Sequence, residues 1–219
     1  MEDCYGRKIE YLRISVTDRC NLRCKYCMPN GIECVEHKDI LSFEEIRQIA
    51  VCGARLGITK IRLTGGEPLA RKGCPELIRM LKEIPGIEKI AMTTNGTLVR
   101  AILPELVEAG LDEINISLDT LDARTFAAIT GQDLLPEVLL AIDAALAAGL
   151  KVKVNAVSMP DTDWKRLITL AKDKPVDVRF IELMPIGEGR HSEGRSNEDL
   201  LEEIRSEFPQ LQADDSVHG

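Results

Sequence analysis

The sequence predicts an α/β fold, a partial (β/α)6 TIM-like barrel in which parallel strands alternate with helices. Strand-like runs recur at roughly regular intervals, and segments with apolar residues at three-to-four spacing separate them. Alternating strands and helices with right-handed crossovers favour a parallel sheet. Six such units are fewer than the eight of a closed barrel, so the barrel is predicted to be incomplete.

The predicted strands are short runs rich in β-branched and aliphatic residues. In chain order they read YLRISV, KIRLT, KIAMTT, EINISL, KVKVNAV and VDVRFIEL. They cover residues 11–16, 60–64, 89–94, 113–118, 151–157 and 176–183. Several of them carry a basic or amide side chain at alternate positions, which is unusual for the strands of a buried parallel sheet.

The predicted helices between the strands cover residues 43–56, 74–84, 98–109, 136–148 and 164–172. Glycines that can act as helix stops follow four of them, at Gly57, Gly86, Gly110 and Gly149. Residues 1–185 are therefore predicted to form the barrel with an N-terminal arm. Residues 186–219 are predicted to begin a truncated C-terminal region, where Ser196 caps a helix that has little to pack against.

Composition indicates one main domain and limits the partners. In 219 residues, 36 acidic side chains outnumber 28 basic ones, giving a net charge of −8. No overall field would attract nucleic acid or an anionic membrane, so neither partner is expected. The seven cysteines have irregular spacing and the start MEDCYGRK lacks the apolar core of a signal peptide, which predicts a cytoplasmic protein.

Three cysteines lie close together in TDRCNLRCKYCMP, directly after the first predicted strand: Cys20, Cys24 and Cys27. Three thiolates from one short loop can hold three corners of an iron–sulfur cube and leave the fourth iron open to another ligand. The alternative is a zinc site, which usually needs four nitrogen or sulfur ligands, and His37 is the one histidine nearby. The spacing favours the cluster.

A second motif, LTGGEP, ends the second predicted strand, where ligands of parallel α/β sheets collect. Gly65 and Gly66 would let the backbone approach a ligand without an intervening Cβ. Glu67 offers a carboxylate suited to an ammonium group. The motif alone would also suit an ordinary strand-to-helix turn, and it gains weight from the cysteines in the same chain.

The C-x3-C-x2-C triplet followed by GGEP resembles the radical S-adenosylmethionine (SAM) superfamily. The longer segments GRKIEYLRISVTDRCNLRCKYCMP, KIRLTGGEPLAR, TTNG, INISLD, VKVNAV and RFIELMPIGEGR resemble its MoaA family, the GTP 3′,8-cyclases of molybdenum cofactor biosynthesis. The resemblance implies a [4Fe–4S] cluster on the three cysteines and SAM at the open iron. It further implies a deoxyadenosyl radical that abstracts a ribose hydrogen from GTP, an external electron donor, transfer to the next enzyme of the pathway, and a homodimer.

The resemblance, with the strand pattern, assigns two groups of binding residues and no catalytic acid or base. The cofactor group is Tyr26, Gly65, Gly66, Glu67, Ser117, Asn155 and Met184, and the nucleotide group is Arg13, Lys60, Arg62, Thr93, Lys153 and Arg179. Residues two apart in a strand share a face, so the cations would converge in the barrel, where a polyanion would neutralise them. Alternatively, these side chains lie at strand ends and reach water.

The resemblance breaks down at the C-terminal side. The family carries a second cluster on three further cysteines, whereas no cysteine follows Cys74 here. The chain is therefore expected to be either a fragment or a natural short form. Two other functions stay open at this point: a radical SAM maturase acting on peptide, and a truncated module that binds cluster and SAM without catalysis.

Overall fold

The computed structural model describes residues 2–31, 35–185 and 187–213. Six parallel strands form one sheet in chain order, β1 to β6. The strands are β1 (Tyr11–Ser15), β2 (Lys60–Thr64), β3 (Lys89–Thr94), β4 (Glu113–Ser117), β5 (Lys151–Ser158) and β6 (Val176–Glu182). Each predicted strand is present, and the predicted partial barrel is confirmed.

Seven α-helices accompany the strands in the described ranges. They are α1 (Phe43–Arg55), α2 (Cys74–Lys82), α3 (Val99–Glu108), α4 (Ala123–Thr130), α5 (Leu135–Ala147), α6 (Trp164–Asp173) and α7 (Asn197–Glu207). The sequence prediction missed α4. Its boundary signals were present, because the Asp122 side chain accepts a hydrogen bond from Thr125 N and Gly131 ends the helix in a left-handed conformation.

The two faces of the sheet differ in chemistry. Aliphatic side chains at alternate strand positions are fully buried and belong to the main hydrophobic core, among them Ile61, Leu63, Ile90, Met92, Ile114 and Ile116. The core helices α2, α3 and α5 contribute their apolar stripes to the same cluster. The intervening strand positions carry the polar and charged side chains, so the opposite face of the sheet is free to form a polar site.

Helix α7 packs against the barrel, and the expectation that it has little to pack against is wrong. Leu200 is buried, and the rings of Trp164 and Phe208 meet edge to face with centroids 6.3 Å apart. Trp164 Nε1 also donates a hydrogen bond to Glu203. The predicted N-cap is present, with Ser196 Oγ accepting from Asp199 N at 3.0 Å. The region predicted to begin at 186 includes residues 186 and 214–219, which lie outside the described residues.

Among the described helices, none taken singly has the length and apolar character to cross a bilayer. The helices α4 and α5 meet that test as a pair, with a bend of 101° between them.

Candidate active site

The three predicted cluster ligands lie in the segment that follows β1, here called the cysteine loop (residues 17–28). Cys27 N and Met28 N both donate to the carbonyl oxygen of Cys24, at 2.9 and 3.0 Å, which closes a tight turn. At the start of the loop, Leu22 N donates to Cys20 Sγ at 3.4 Å. The backbone therefore folds back on itself around the thiols, as a cluster-binding loop must.

Helix α4 anchors this loop. Arg23 N and Lys25 N donate to the carbonyl oxygens of Thr130 and Ile129, at 2.9 and 3.0 Å. The last carbonyls of a helix have no partner inside it and are available to neighbouring segments. The helix that the sequence prediction missed thus contributes directly to the position of the cysteines.

The GGEP turn packs directly against the cysteine loop. Gly66 N and Glu67 N donate to the carbonyl oxygens of Thr17 and Arg19, both at 2.8 Å. A Cβ at Gly65 would lie 2.4 Å from Thr17 O, and one at Gly66 would lie 2.5 Å from Arg19 O. The Cβ directions of both glycines therefore face protein backbone, and not a ligand as the sequence reasoning held. Their contact with a cofactor stays a prediction.

We expect Gly66→Ala to displace the cysteine loop and to lower the iron bound per chain after reconstitution by several-fold. The added methyl group would meet two backbone carbonyls, of Asp18 at 2.6 Å and Arg19 at 2.5 Å, and neither can rotate away as a side chain could. Gly53→Ala is the matched control, because Gly53 lies in α1 and its Cβ would lie 3.4 Å from Ile58 Cγ1, an ordinary van der Waals contact. Iron and labile sulfide analysis would check the prediction, and wild-type loading of Gly66→Ala would contradict it.

The carboxylate of Glu67 is occupied by the protein itself. It is fully buried and accepts hydrogen bonds from Thr94 Oγ1 at 2.8 Å, Asn95 N at 2.7 Å and Leu69 N at 3.1 Å. Burial raises the pKa of this carboxyl, against the effect of those donors. The prediction that Glu67 meets an ammonium group is therefore not supported by its position: the side chain ties the GGEP turn to the end of β3.

Asp119 fixes the cysteine loop to the sheet, and the sequence reasoning missed it. Tyr26 donates its hydroxyl to Asp119 Oδ2 at 2.7 Å, and Val157 N donates to Oδ1 at 2.8 Å. Burial raises the pKa of Asp119, and burial followed by the Asp119 charge raises the pKa of Tyr26. The signal was available, because an acid directly after β4 lies at the carboxyl edge of the sheet. The Tyr26 hydroxyl thus bonds to protein, while its ring remains beside the cysteines.

The chemistry of the thiols fits an iron–sulfur cluster. Burial, followed by the charges of Asp119, Cys20 and Cys27, raises the pKa of Cys24 to about 12. Burial and then Cys20 raise the pKa of Cys27 as well. Thiolates crowded in this way need a cationic centre, which iron supplies when it displaces the protons.

Ligand spread also distinguishes a cluster from a single ion. Within the described ranges, no three His, Cys, Asp or Glu side chains converge closely enough to share one metal ion. A cube binds each thiolate through a different iron, so its ligands need not meet at one point. The side chain of His37, the histidine of the zinc alternative, lies outside the described residues.

The polar face of the sheet encloses a cavity of about 700 Å³. This space, here called the basic cavity, is lined by five of the six predicted nucleotide residues, Arg13, Lys60, Arg62, Thr93 and Arg179. One predicted cofactor residue, Asn155, also lines it. The expectation that these side chains share one face is met in the structure. Lys153, the sixth, is fully buried behind the cavity wall.

Glu113 neutralises part of this positive charge, and the sequence reasoning missed it. Its carboxylate lies 2.7 Å from Arg62 Nη2, 3.3 Å from Lys60 Nζ and 3.2 Å from Lys153 Nζ. Burial raises the pKa of Glu113, but Arg62, Lys153 and Lys60 together outweigh it and leave the pKa below its usual value. Burial is the largest effect on Lys153 and lowers its pKa, whereas the nearby Glu113 carboxylate raises that pKa and offsets part of the shift.

The cavity and the cysteine loop meet along β3 and β4. Asn115 lines the cavity, and Ser117, two residues further, lines a smaller space of about 30 Å³ with Cys24 and Tyr26. Tyr26 also borders a separate cavity of about 810 Å³ beyond the carboxyl ends of β4 and β5. Met184 is not brought into this group: its side chain is 63% exposed and lines none of these three spaces.

Comparison with known proteins agrees with this arrangement. The Radical SAM superfamily pattern matches residues 14–173. A GTP 3′,8-cyclase of Clostridium perfringens (strain 13 / Type A) is 47% identical over 211 residues, covering 94% of this chain and 65% of the relative. One from Alkaliphilus oremlandii (strain OhILAs) is 46% identical over 217 residues, covering 95% of this chain and 68% of the relative.

Solved structures share the fold at much lower identity. Streptococcus suis SuiB bound to S-adenosylmethionine superposes with a TM-score of 0.75 at 19% identity, over 92% of this chain and 48% of that one. Against the two curated relatives named above, the chain spans about two thirds of their length. With its parallel barrel, its cysteine loop and these matches, the chain belongs to the radical SAM superfamily and, within it, to the family of the GTP 3′,8-cyclases.

Proposed function

We propose that this chain acts on GTP as a radical SAM enzyme in the first step of molybdenum cofactor biosynthesis. The observation that carries the proposal is the position of the basic cavity next to the cysteine loop: Asn115 of β4 lines the cavity, and Ser117, two residues further along the strand, lines a small space with Cys24 and Tyr26. A nucleoside triphosphate carries a triphosphate group that suits the cations of the cavity and a ribose that could reach the cysteine loop. The names of the curated relatives support the same substrate.

In this proposal Cys20, Cys24 and Cys27 hold a [4Fe–4S] cluster, and Tyr26, Gly65, Gly66, Ser117, Asn155 and Met184 contact SAM. When bound, the cluster and SAM supply the 5′-deoxyadenosyl radical that removes a hydrogen from the ribose. The protein contributes position: bonds from α4, from the GGEP turn and from Asp119 fix the loop relative to the cavity. Holding reacting atoms in fixed geometry removes a large entropic part of a barrier.

The cations of the cavity hold the triphosphate. Arg13, Lys60, Arg62 and Arg179 line the space from three different strands, so they can surround an anion instead of meeting it from one side. Arginine forks match phosphate oxygens in geometry as well as in charge. Thr93 would contact the nucleotide nearer to the cysteine end, and Lys153 would act from behind the wall.

The proposal also includes partners outside the chain. An electron donor reduces the cluster, the product passes to the next enzyme of the pathway, and the protein works as a homodimer in the cytoplasm. Residues from 186 onward are proposed to begin a further C-terminal region. A peptide substrate is less supported than GTP, because the peptide enzymes among the solved structures are similar in fold alone.

The test combines binding with radical initiation. We expect the anaerobically reconstituted protein to bind GTP in calorimetry and, with a strong reductant, to convert SAM to 5′-deoxyadenosine faster when GTP is present. A peptide of mixed sequence serves as the comparison ligand. Absence of GTP binding would sink the substrate assignment, and GTP binding without any deoxyadenosine would instead support a non-catalytic module.

A further inference from the structure

The arrangement of charges in the wall of the basic cavity has two layers. Lys60 and Arg62 line the cavity and face its contents. Glu113 contacts both of these cations and Lys153 contacts Glu113, but neither Glu113 nor Lys153 lines the cavity, so both lie behind that front layer. An anion entering the cavity would meet the two front cations, with Glu113 on their far side.

Backbone register explains how one carboxylate reaches across the sheet. Arg62 on β2 pairs with Ala91 on β3, and Ala91 pairs with Glu113 on β4. The methyl side chain of Ala91 leaves room for the guanidinium to extend over β3 and reach the carboxylate at 2.7 Å. A larger residue at position 91 would separate the two groups. The arrangement is therefore built into the strand order.

We propose that Glu113 is the resident counterion of the polyphosphate site, a positioning residue that orients Lys60, Arg62 and Lys153 and limits the affinity of the cavity for anions. The inference deepens the proposed function and rests on it. Three basic side chains surround one carboxylate, so basic groups outnumber the acid in this cluster. The carboxylate permits the cations to be buried together without a ligand, since unpaired buried charges are costly.

The same geometry makes Glu113 a competitor for an incoming polyanion. Each bond that Arg62 or Lys60 makes to the carboxylate reduces the positive potential at the cavity surface. The attraction between opposite charges a few ångströms apart grows as the effective dielectric falls, so it is substantial at this buried position. Neutralising the carboxylate without changing its shape should therefore strengthen polyanion binding, whereas an ordinary structural ion pair outside the site would have no such effect.

The experiment compares Glu113→Gln, which removes the charge, with Glu113→Asp, which keeps it. Calorimetry with inorganic tripolyphosphate and with GTP would be run on each reconstituted protein at several KCl concentrations. We expect Glu113→Gln to bind tripolyphosphate about tenfold tighter than wild type, with a steeper loss of affinity as salt rises. Glu113→Asp should stay within about threefold of wild type, because its charge is retained. Glu137→Gln is the control, since it removes a carboxylate from an exposed ion pair with Arg100.

Thermal unfolding provides a second readout in case the variant is less stable. Without ligand, the Glu113→Gln midpoint should fall, because buried cations lose their partner. Adding tripolyphosphate should raise that midpoint more than it raises the wild-type midpoint. Equal or weaker tripolyphosphate binding by Glu113→Gln, with an unchanged salt slope, would overturn the inference. Wild type that binds tripolyphosphate but not GTP would refute the proposed substrate and leave the inference standing, and wild type that binds neither would overturn both.

Discussion

The Cys24→Ala variant should lose both the visible absorbance of the iron–sulfur cluster and all SAM cleavage, because cysteine thiolates hold the cluster. Three thiolates are the protein's whole contribution to the cube in our proposal, so removal of one leaves a second iron without a protein ligand. Cys24 is the central thiol, and its carbonyl oxygen accepts both hydrogen bonds that close the turn. The backbone bonds persist in the variant, so its defect should lie in ligation.

Two further variants separate ligation from packing. Cys24→Ser keeps the size of the side chain and should fail in the same way, because a hydroxyl is a poor ligand for the iron of a cube. Cys52→Ala removes an exposed cysteine from α1 and should bind wild-type amounts of iron. Iron analysis, the absorbance spectrum and deoxyadenosine formation would be measured side by side. Wild-type iron content in Cys24→Ala would show that this thiol is not a ligand.

Local patterns in the sequence were enough to predict the frame of the molecule. Periodicity located all six strands, and spacing of two residues put Lys60 and Arg62 on one face. The cysteine spacing predicts a compact loop, and the bonds from Cys27 N and Met28 N to the Cys24 carbonyl oxygen close one. These features depend on residues close together in the chain, where propensity and alternation carry most of the information.

Depth and long-range partners could not be read in the same way. Glu67 looked available for an ammonium group, yet donors from Thr94 and Asn95, almost 30 positions away, occupy it. Arg62 and Glu113 are separated by 51 positions and meet because β2 and β4 flank the same strand. Alternation shows on which face of the sheet a side chain lies. It does not show whether another residue already bonds to the polar or charged group of that side chain.

The three acids of the site therefore have different structural roles. Glu67 and Asp119 brace the cysteine loop, whereas Glu113 balances the cavity cations. A carboxylate near a predicted anion site would ordinarily count against that site. Here the excess of cations around Glu113 keeps the wall positive, so the carboxylate is compatible with a triphosphate ligand.

Arg62→Ala should spare the cluster and weaken GTP binding by about tenfold to a hundredfold, since a hydrogen bond between charged groups contributes about 1.5–3 kcal/mol. Arg62 lines the cavity and makes the shortest contact to Glu113. Its loss removes a cation from the front of the wall and leaves more of the Glu113 charge uncompensated, and both effects oppose an anion. The cysteine loop is held by α4, the GGEP turn and Asp119, none of which depends on this side chain.

Calorimetry with GTP and iron analysis on the same preparation would check both halves of that result. Arg100→Ala is the matched control, because Arg100 forms an exposed ion pair with Glu137 on α5. The Arg100→Ala protein should bind GTP as tightly as wild type. Arg62→Lys should recover only part of the affinity. The lysine ammonium group keeps the charge, but it lacks the planar guanidinium fork with which arginine can bond to phosphate and to Glu113 at the same time. If Arg62→Ala binds GTP as wild type does, the cations of the inner face serve the fold and not the substrate. Loss of iron in Arg62→Ala would instead mean that the wall and the cysteine loop depend on each other more closely than their separate contacts indicate.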